Sequence, residues 1–219
     1  MSDTANLVAE FAKLDTPCVS DALDRLGISG GLWGLRPIVD GTPFCGTAFT
    51  VHYTSCGEVA GNVGDFLDDV KPGQVVVIDN GGRVNGTVWG DLMTYTSSRN
   101  KINGTIIDGI CRDLPLIREL RYPIYTKGGY MVTGKDRVYV DAVNVPVSIC
   151  GLQVKPGDII LGDDSGVLVI PAGRAAEVLE VAKEIEAKEA GIMKGLREGK
   201  TLKEARSQAG YHSLQTRRK

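Results

Sequence analysis

Within Val70-Lys71-Pro72-Gly73-Gln74-Val75-Val76-Val77-Ile78-Asp79-Asn80-Gly81-Gly82, a Pro-Gly turn delivers the chain into four consecutive β-branched residues. Such a run suits a strand covered on both faces, as in a parallel sheet overlaid by helices. The acidic, Gly-rich end supplies turn chemistry and is expected to terminate the strand. Downstream, an extended piece (83–88), a helix entered near Gly90, a strand over 104–108 and a helix over 114–120 follow in β-α-β-α order. Upstream, 45–54 reads as a strand and 59–70 as a short, Gly-interrupted helix.

Outside this middle the ends read as helical. Leu7, Val8, Phe11 and Leu14 recur at the spacing of one buried helix face. Thr16 is expected to cap a second helix, with Pro17 in its first turn and Gly27 stopping it. Strands are expected at 124–125, 137–140, 145–150, 158–161 and 167–170, and closing helices at 174–196 and 202–208. The opening stretch also recurs as Val154-Lys155-Pro156-Gly157-Asp158-Ile159-Ile160 with Asp163-Asp164 and Gly166. This echo predicts two similar β units facing each other, although turn-strand-turn chemistry alone can generate it. No Pro-, Gly- or Ser-rich linker separates two domains, so residues 1–219 are expected to form one.

With 42% hydrophobic and 24% charged residues and no apolar run of membrane-spanning length, the composition is that of a globular protein. Lys+Arg 25 against Asp+Glu 27 gives −2, too near neutral for a dedicated nucleic-acid binder. From 194 to 219, eight basic and two acidic residues make a +6 tail behind a body of −8, suited to a basic segment on an acidic surface or to a separate partner. Cys18, Cys45, Cys56, Cys111 and Cys150 are odd in number with no C-x-x-C pair, which suggests buried thiols rather than a zinc site or disulfides. Met1-Ser2-Asp3-Thr4 lacks the marks of a signal peptide, and a cytoplasmic location is expected.

Chemistry concentrates at two helix starts. At Gly90-Asp91-Leu92-Met93 the first amides of a helix lack intrahelical partners and carry the positive end of its dipole, which suits a small carboxylate. Neither G-x-G-x-x-G nor a P-loop is present there, so nucleotide binding has no motif. After the strand over 104–108, Arg112-Asp113 opens the next helix at the strand's carboxyl end, where open α/β sheets place ligands. Asp offers a hard oxygen to Mg²⁺ and Arg a donor fork to a carboxylate or enolate; a helix cap beside a surface Arg is the plainer reading. His52 lies in a strand and His212 in the polar tail, and neither is assigned a role.

Trp89-Gly90-Asp91-Leu92-Met93 with Ile107-Asp108-Gly109-Ile110-Cys111-Arg112-Asp113 resembles the signature of the family of 4-hydroxy-4-methyl-2-oxoglutarate/4-carboxy-4-hydroxy-2-oxoadipate aldolases and RraA-type regulators of ribonuclease E. Ser20-Asp21-Ala22-Leu23-Asp24-Arg25-Leu26-Gly27, Pro72-Gly73, Gly162-Asp163-Asp164-Ser165-Gly166-Val167 and the Glu-rich final helix occur in similar order. The resemblance implies an α/β fold, an α-β-β-α sandwich like the phosphohistidine (swivelling) domain, assembled as homotrimers or homohexamers with sites between subunits. It implies a class II pyruvate aldolase, often with oxaloacetate decarboxylase activity. Asp113 would ligate Mg²⁺ or Mn²⁺ and Arg112 would bind the keto oxygen and its enolate. The amides of Gly90, Asp91, Leu92 and Met93 would hold the carboxylate, and Asp91 would orient the water that moves the proton. Glu186 or Glu189 would reach a neighbour's metal waters.

One position departs from the aldolase pattern: Leu116 stands where an acidic residue follows Arg-Asp after two intervening positions, with Glu119 the substitute one turn on. Asp163-Asp164 could add carboxylates to the site or simply serve their turn, Trp33 and Trp89 could line a pocket or pack in the core, and Asp21 and Asp24 could approach a shared site or be solvated. The readings therefore stand as a metal-dependent oxoacid lyase, the same chemistry on a sugar acid or hydroxylated dicarboxylate, or a non-catalytic regulator binding ribonuclease E or another RNA-processing partner.

Overall fold

The fold follows from how one strand divides its side chains. In the computed structural model, which describes residues 3–58 and 61–209, strand β3 (Gln74–Arg83) points Val75 and Val77 into one core and Val76 and Ile78 into another. The four are wholly buried, as a β-branched run between two apolar layers requires. β3 pairs in parallel with β2 (Phe44–Ser55) and with β4 (Gly104–Gly109), and β4 pairs in parallel with β5 (Ile124–Thr126). On the other side of β2, the hairpin of β9 (Ile159–Asp163) and β10 (Gly166–Ile170) adds antiparallel strands, and β6 (Val138–Val143) pairs with the end of β2.

One short segment joins the sheet's two edges. Leu32 N–H donates to Val167 O (3.0 Å) and Val169 N–H to Gly30 O (2.9 Å), while β1 (Arg36–Pro37) pairs with β5 and Ile38 N–H donates to Ile124 O (3.0 Å). The result is a mixed α/β fold with a nearly closed, barrel-like sheet. Leu35, Val75, Ile106, Tyr125, Ile160 and Val169 fill its interior together with a hairpin of β7 (Val147–Ile149) and β8 (Leu152–Val154). Outside, α1 (Asp3–Phe11), α2 (Thr16–Arg25) and α5 (Ala175–Arg197) cover β9 and β10, with α6 (Leu202–Ala209) packed on α5. The opposite outer face is covered by α3 (Asp91–Arg99) and α4 (Leu114–Glu119). No helix among the described residues is long and apolar enough to cross a membrane.

Several local expectations are corrected. Asp15, not Thr16, caps α2 by accepting Cys18 N–H (2.8 Å), because Thr16 spends both its N–H and its hydroxyl on Asp163 (2.7 Å each). The 59–70 helix reduces to a 3-10 turn at Asp65–Asp69; its first two residues lie outside the described residues. Asp79–Gly82 does not end β3: Gly81 (φ 58°) and Gly82 (φ 70°) adopt left-handed backbone, and the ladder resumes one bulge later with Arg83 opposite Gly109. The expected 145–150 strand is present as β7, but Cys150-Gly151, both left-handed, turn it back into an unexpected partner strand, β8.

The internal echo is real in its turns. Gly73 (φ 83°) and Gly157 (φ 86°) both take the left-handed region, and Lys71 N–H donates to Gln74 Oε1 (2.9 Å) as Lys155 N–H does to Asp158 Oδ2 (2.8 Å). The two units flank β2, one parallel and one antiparallel, rather than facing each other. Gly46, on β2 between them, packs so closely that a Cβ would collide with the Gly73 carbonyl and press on Val75. Gly46→Ala is therefore expected to lower stability by about 2–3 kcal/mol, read as a lower urea midpoint at unchanged m-value.

Candidate active site

Backbone pairing between two distant segments creates the site. Val88 N–H donates to Ile110 O (3.4 Å) and Arg112 N–H to Trp89 O (2.9 Å), so the chain entering α3 lies beside the chain leaving β4. Trp89 pins the first segment: it is buried, stacks on Tyr122 with ring centroids 6.1 Å apart, and donates its indole N–H to Thr94 Oγ1 (2.9 Å). The Thr94 hydroxyl in turn donates to Gly90 O (2.8 Å), closing the first turn of α3. Trp89 thus serves the core. Trp33 is 84% exposed and borders a separate cavity of about 370 Å³ beside Arg36 and the start of α2, lined by none of the predicted site residues.

The pairing brings Arg112 and Asp113 to the start of α3. Asp113 Oδ2 accepts Asp91 N–H (3.1 Å) and lies 3.4 Å from Arg112 Nε. Asp91 Oδ1 accepts Leu92 N–H (2.8 Å), so two of the amides expected to hold a substrate carboxylate point at carboxylates of the site itself. Asp113 occupies left-handed backbone (φ 58°, ψ 40°), which Asp tolerates better than most residues and which aims its carboxylate across to α3. Gly90 stands against the pair: a Cβ there would lie 2.6 Å from Asp113 Oδ2 and 3.3 Å from Arg112 Nε.

Two cavities meet at Arg112. One, of about 410 Å³, is bordered by Gly90–Met93, Asn62, Asp65, Thr87 and Lys135. The other, of about 580 Å³, is bordered by Asp113, Leu114, Arg118, Tyr130 and Met131. Asn62, Lys135 and Tyr130 carried no sequence signal, since each belongs to a loop remote from the motif; Arg118 is only five residues past Asp113 but belongs to no part of the motif. Leu116 is half-buried and Glu119 exposed on α4, and neither borders these cavities; the charged α4 side chain that does is Arg118.

The remaining candidates lie elsewhere. Asp163 accepts from Thr16 and from Ser165 N–H (2.8 Å), and Asp164 accepts Gly41 N–H (2.7 Å), so both serve turns and tethers. Burial raises the Asp163 carboxyl, and the Thr16 and Ser165 donors more than offset it, leaving a net lowering. Glu186 and Glu189 sit on α5, whose buried face packs on α2 at the opposite outer face from Arg112-Asp113. Burial, then the charges of Asp21 and Asp15, pushes the Glu189 carboxyl up. Asp24 is exposed, and His52 Nδ1 meets Asp141 Oδ2 at 3.2 Å on the surface. His212 and the 210–219 part of the tail lie outside the described residues. All five cysteines are free thiols; Cys18, Cys45 and Cys111 are buried, which pushes each up to about 12.

Asp113 offers one carboxylate to the cavity. Among the described residues no group of three or more His, Cys, Asp or Glu side chains is placed to hold a metal ion. That donor set fits Mg²⁺ or Mn²⁺, which are commonly held by one or two carboxylates together with water and substrate oxygens, rather than an all-protein cage.

A model of the RraA-like family, described as Aldolase/RraA, matches residues 16–169. The chain belongs to the RraA-like family. Protein DlpA of Legionella pneumophila is 41% identical over 214 residues, which are 96% of this chain and 35% of that protein, so the chain spans about a third of that relative. A Halalkalibacterium halodurans protein named "Putative 4-hydroxy-4-methyl-2-oxoglutarate aldolase" is 32% identical over 83% of this chain and 84% of its own. Among solved RraA-like structures, Streptomyces coelicolor RraAS2, described as an unusual member of the RNase ES inhibitor RraA protein family, superposes with a TM-score of 0.78 at 29% identity, covering 84% of this chain and 94% of that one. The matched segment contains every residue of the Gly90–Met93 and Arg112-Asp113 site.

Proposed function

We propose that the chain is one RraA-like domain, layered in the manner of the phosphohistidine domain, that acts as a divalent-metal-dependent lyase on a small 2-oxoacid. The substrate is of the 4-hydroxy-4-methyl-2-oxoglutarate type, oxaloacetate, or both. The observation that carries this reading is the meeting of Asp113, Arg112 and the α3 N-terminus within 3.1–3.4 Å. A guanidinium, a carboxylate and inward-facing amides in one concave site suit an oxoacid that becomes an enolate. Aldolase names among relatives with good coverage of both chains support it. A cytoplasmic homotrimer or homohexamer is part of the same proposal.

In the derived mechanism, Arg112 and the α3 amides not taken by Asp113 and Asp91 orient the keto oxygen and carboxylate of the substrate. Asp91 positions a water that takes the proton from the C4 hydroxyl. The C3–C4 bond then breaks, its electron pair moving through C2 onto the keto oxygen, and a carbonyl forms at C4. With oxaloacetate the same electron flow releases CO₂. Arg112 stabilises the oxyanion as its charge develops, and protonation at C3 yields pyruvate. Asp113 would hold a divalent cation, whose chemistry there would be added positive charge for the developing oxyanion.

Pyruvate release from oxaloacetate and from 4-hydroxy-4-methyl-2-oxoglutarate, followed with lactate dehydrogenase, tests this reading. Turnover above metal-only decay is expected with Mg²⁺ or Mn²⁺ and is expected to vanish with excess chelator. Leu116 favours a second reading, a regulator of the RraA kind, since it removes a carboxylate from the aldolase pattern. Co-purification with an RNA-processing enzyme, without turnover of either oxoacid, would establish that reading instead.

A further inference from the structure

Beyond Arg112 the second cavity has a built form. Arg112 and Asp113 border it where the chain leaves β4. One wall is α4, carrying Leu114, Pro115 and Arg118; the other is the strand-like piece through Gly129, Tyr130 and Met131. That piece is held down by Cys111 N–H to Gly128 O (3.1 Å) and Tyr130 N–H to Cys111 O (2.9 Å), and Gly129 packs so closely on Leu114 that a Cβ would lie 2.8 Å from its Cδ1. Two guanidiniums, Arg112 and Arg118, face this space against one carboxylate, Asp113.

Arg118 differs from Arg112, Arg121 and Lys127. Lys127 is paired with Asp108 at 2.5 Å, Arg112 with Asp113 at 3.4 Å, and Arg121 donates to the carbonyls of Asp40 and Gly41. Among the described residues no carboxylate lies within ion-pairing distance of Arg118 and its guanidinium donates to no protein acceptor. A guanidinium left with five donors, beside the reactive pair and over apolar walls, is suited to a planar anion in fork geometry.

We infer that Arg118 is the specificity-determining residue that binds the distal carboxylate of the oxoacid. The pyruvate unit lies at Arg112, the chain beyond it runs into the second cavity, and Leu114, Tyr130 and Met131 receive its alkyl portion. This rests on the oxoacid reading above. It selects oxoacids with a second carboxylate over monoacids such as pyruvate, and it places the reader of that carboxylate on α4 of the same subunit, five residues past Asp113.

The test is calorimetric titration of the full chain, in Mg²⁺, with 2-oxoglutarate and with pyruvate. Arg118→Ala is expected to weaken 2-oxoglutarate by about 10- to 100-fold, the worth of one charge-assisted hydrogen-bonded pair, and to leave pyruvate within about twofold. Arg118→Lys is expected to recover part of the loss, as a point charge without the fork. With a cleavable dicarboxylate the Ala variant raises KM at unchanged kcat. Equal weakening of both ligands, or no weakening of 2-oxoglutarate, overturns the assignment. Pyruvate binding that is lost in Asp113→Asn, together with 2-oxoglutarate binding that Arg118→Ala leaves unchanged, leaves the oxoacid site standing and removes only this inference. Wild-type protein that binds neither acid removes both. Arg118 is exposed and has no protein partner to lose, so the variant keeps its fold, checked by circular dichroism.

Discussion

Asp113→Asn is expected to reduce pyruvate release from oxaloacetate by at least about 100-fold while leaving the melting temperature nearly unchanged. The asparagine oxygen still accepts Asp91 N–H, and asparagine tolerates the left-handed backbone that Asp113 occupies (φ 58°), so the geometry of the α3 start survives. The negative charge does not survive, and with it go the partner of Arg112 and the one carboxylate offered to a cation. Asparagine isolates chemistry from folding in a way alanine does not. An alanine at this position would add strain of about 1 kcal/mol or more to the loss of charge. Unchanged turnover in Asp113→Asn would remove Asp113 from the reaction and move the balance to the regulator reading.

The second large effect is expected from a single methyl group. Gly90 has extended backbone (φ −150°, ψ −161°) open to any residue, so Gly90→Ala carries no conformational penalty. Its cost is positional: the new Cβ would sit 2.6 Å from Asp113 Oδ2 and 3.3 Å from Arg112 Nε, well inside contact distance. Both groups end flexible side chains and can swing aside, which spares the fold and displaces the site. A displacement of about 1 Å is enough to cost on the order of 100-fold in rate, so turnover is expected to fall about that much with a small change in unfolding midpoint. A large stability loss with normal turnover in the remaining folded protein would show that Gly90 serves packing rather than the site. Gly46 makes the contrasting case, because its neighbour is a backbone carbonyl that cannot swing away.

Much of the architecture is legible in the sequence. The Val75–Ile78 run, the helix entries at Gly90 and at Arg112-Asp113, and the strand before the latter all appear where local chemistry placed them. The misreadings share a cause. Thr16 has the chemistry of a cap, yet a carboxylate 147 residues away in sequence claims it and leaves the role to Asp15. Asp79–Gly82 has the chemistry of a turn, yet β4 alongside holds it in the ladder as a bulge. In each instance a distant partner outcompeted a local preference worth only about 1 kcal/mol.

The same division separates the candidate site from its surroundings. Arg112 and Asp113 are neighbours in the chain and the amides of Gly90–Met93 belong to one helix start, so periodicity, turn chemistry and the resemblance determined both halves. That the halves touch depends on the pairing of 88–89 with 110–112, and that Arg112 divides two cavities depends on where α4, the 129–131 piece and the loop of Lys135 are carried by the closing sheet. Only the tertiary structure decided these, and it drew in Arg118, Lys135, Asn62 and Tyr130, because hydrogen-bond registers between segments remote in sequence and the packing of side chains across a barrel leave no periodic trace in the order of the residues.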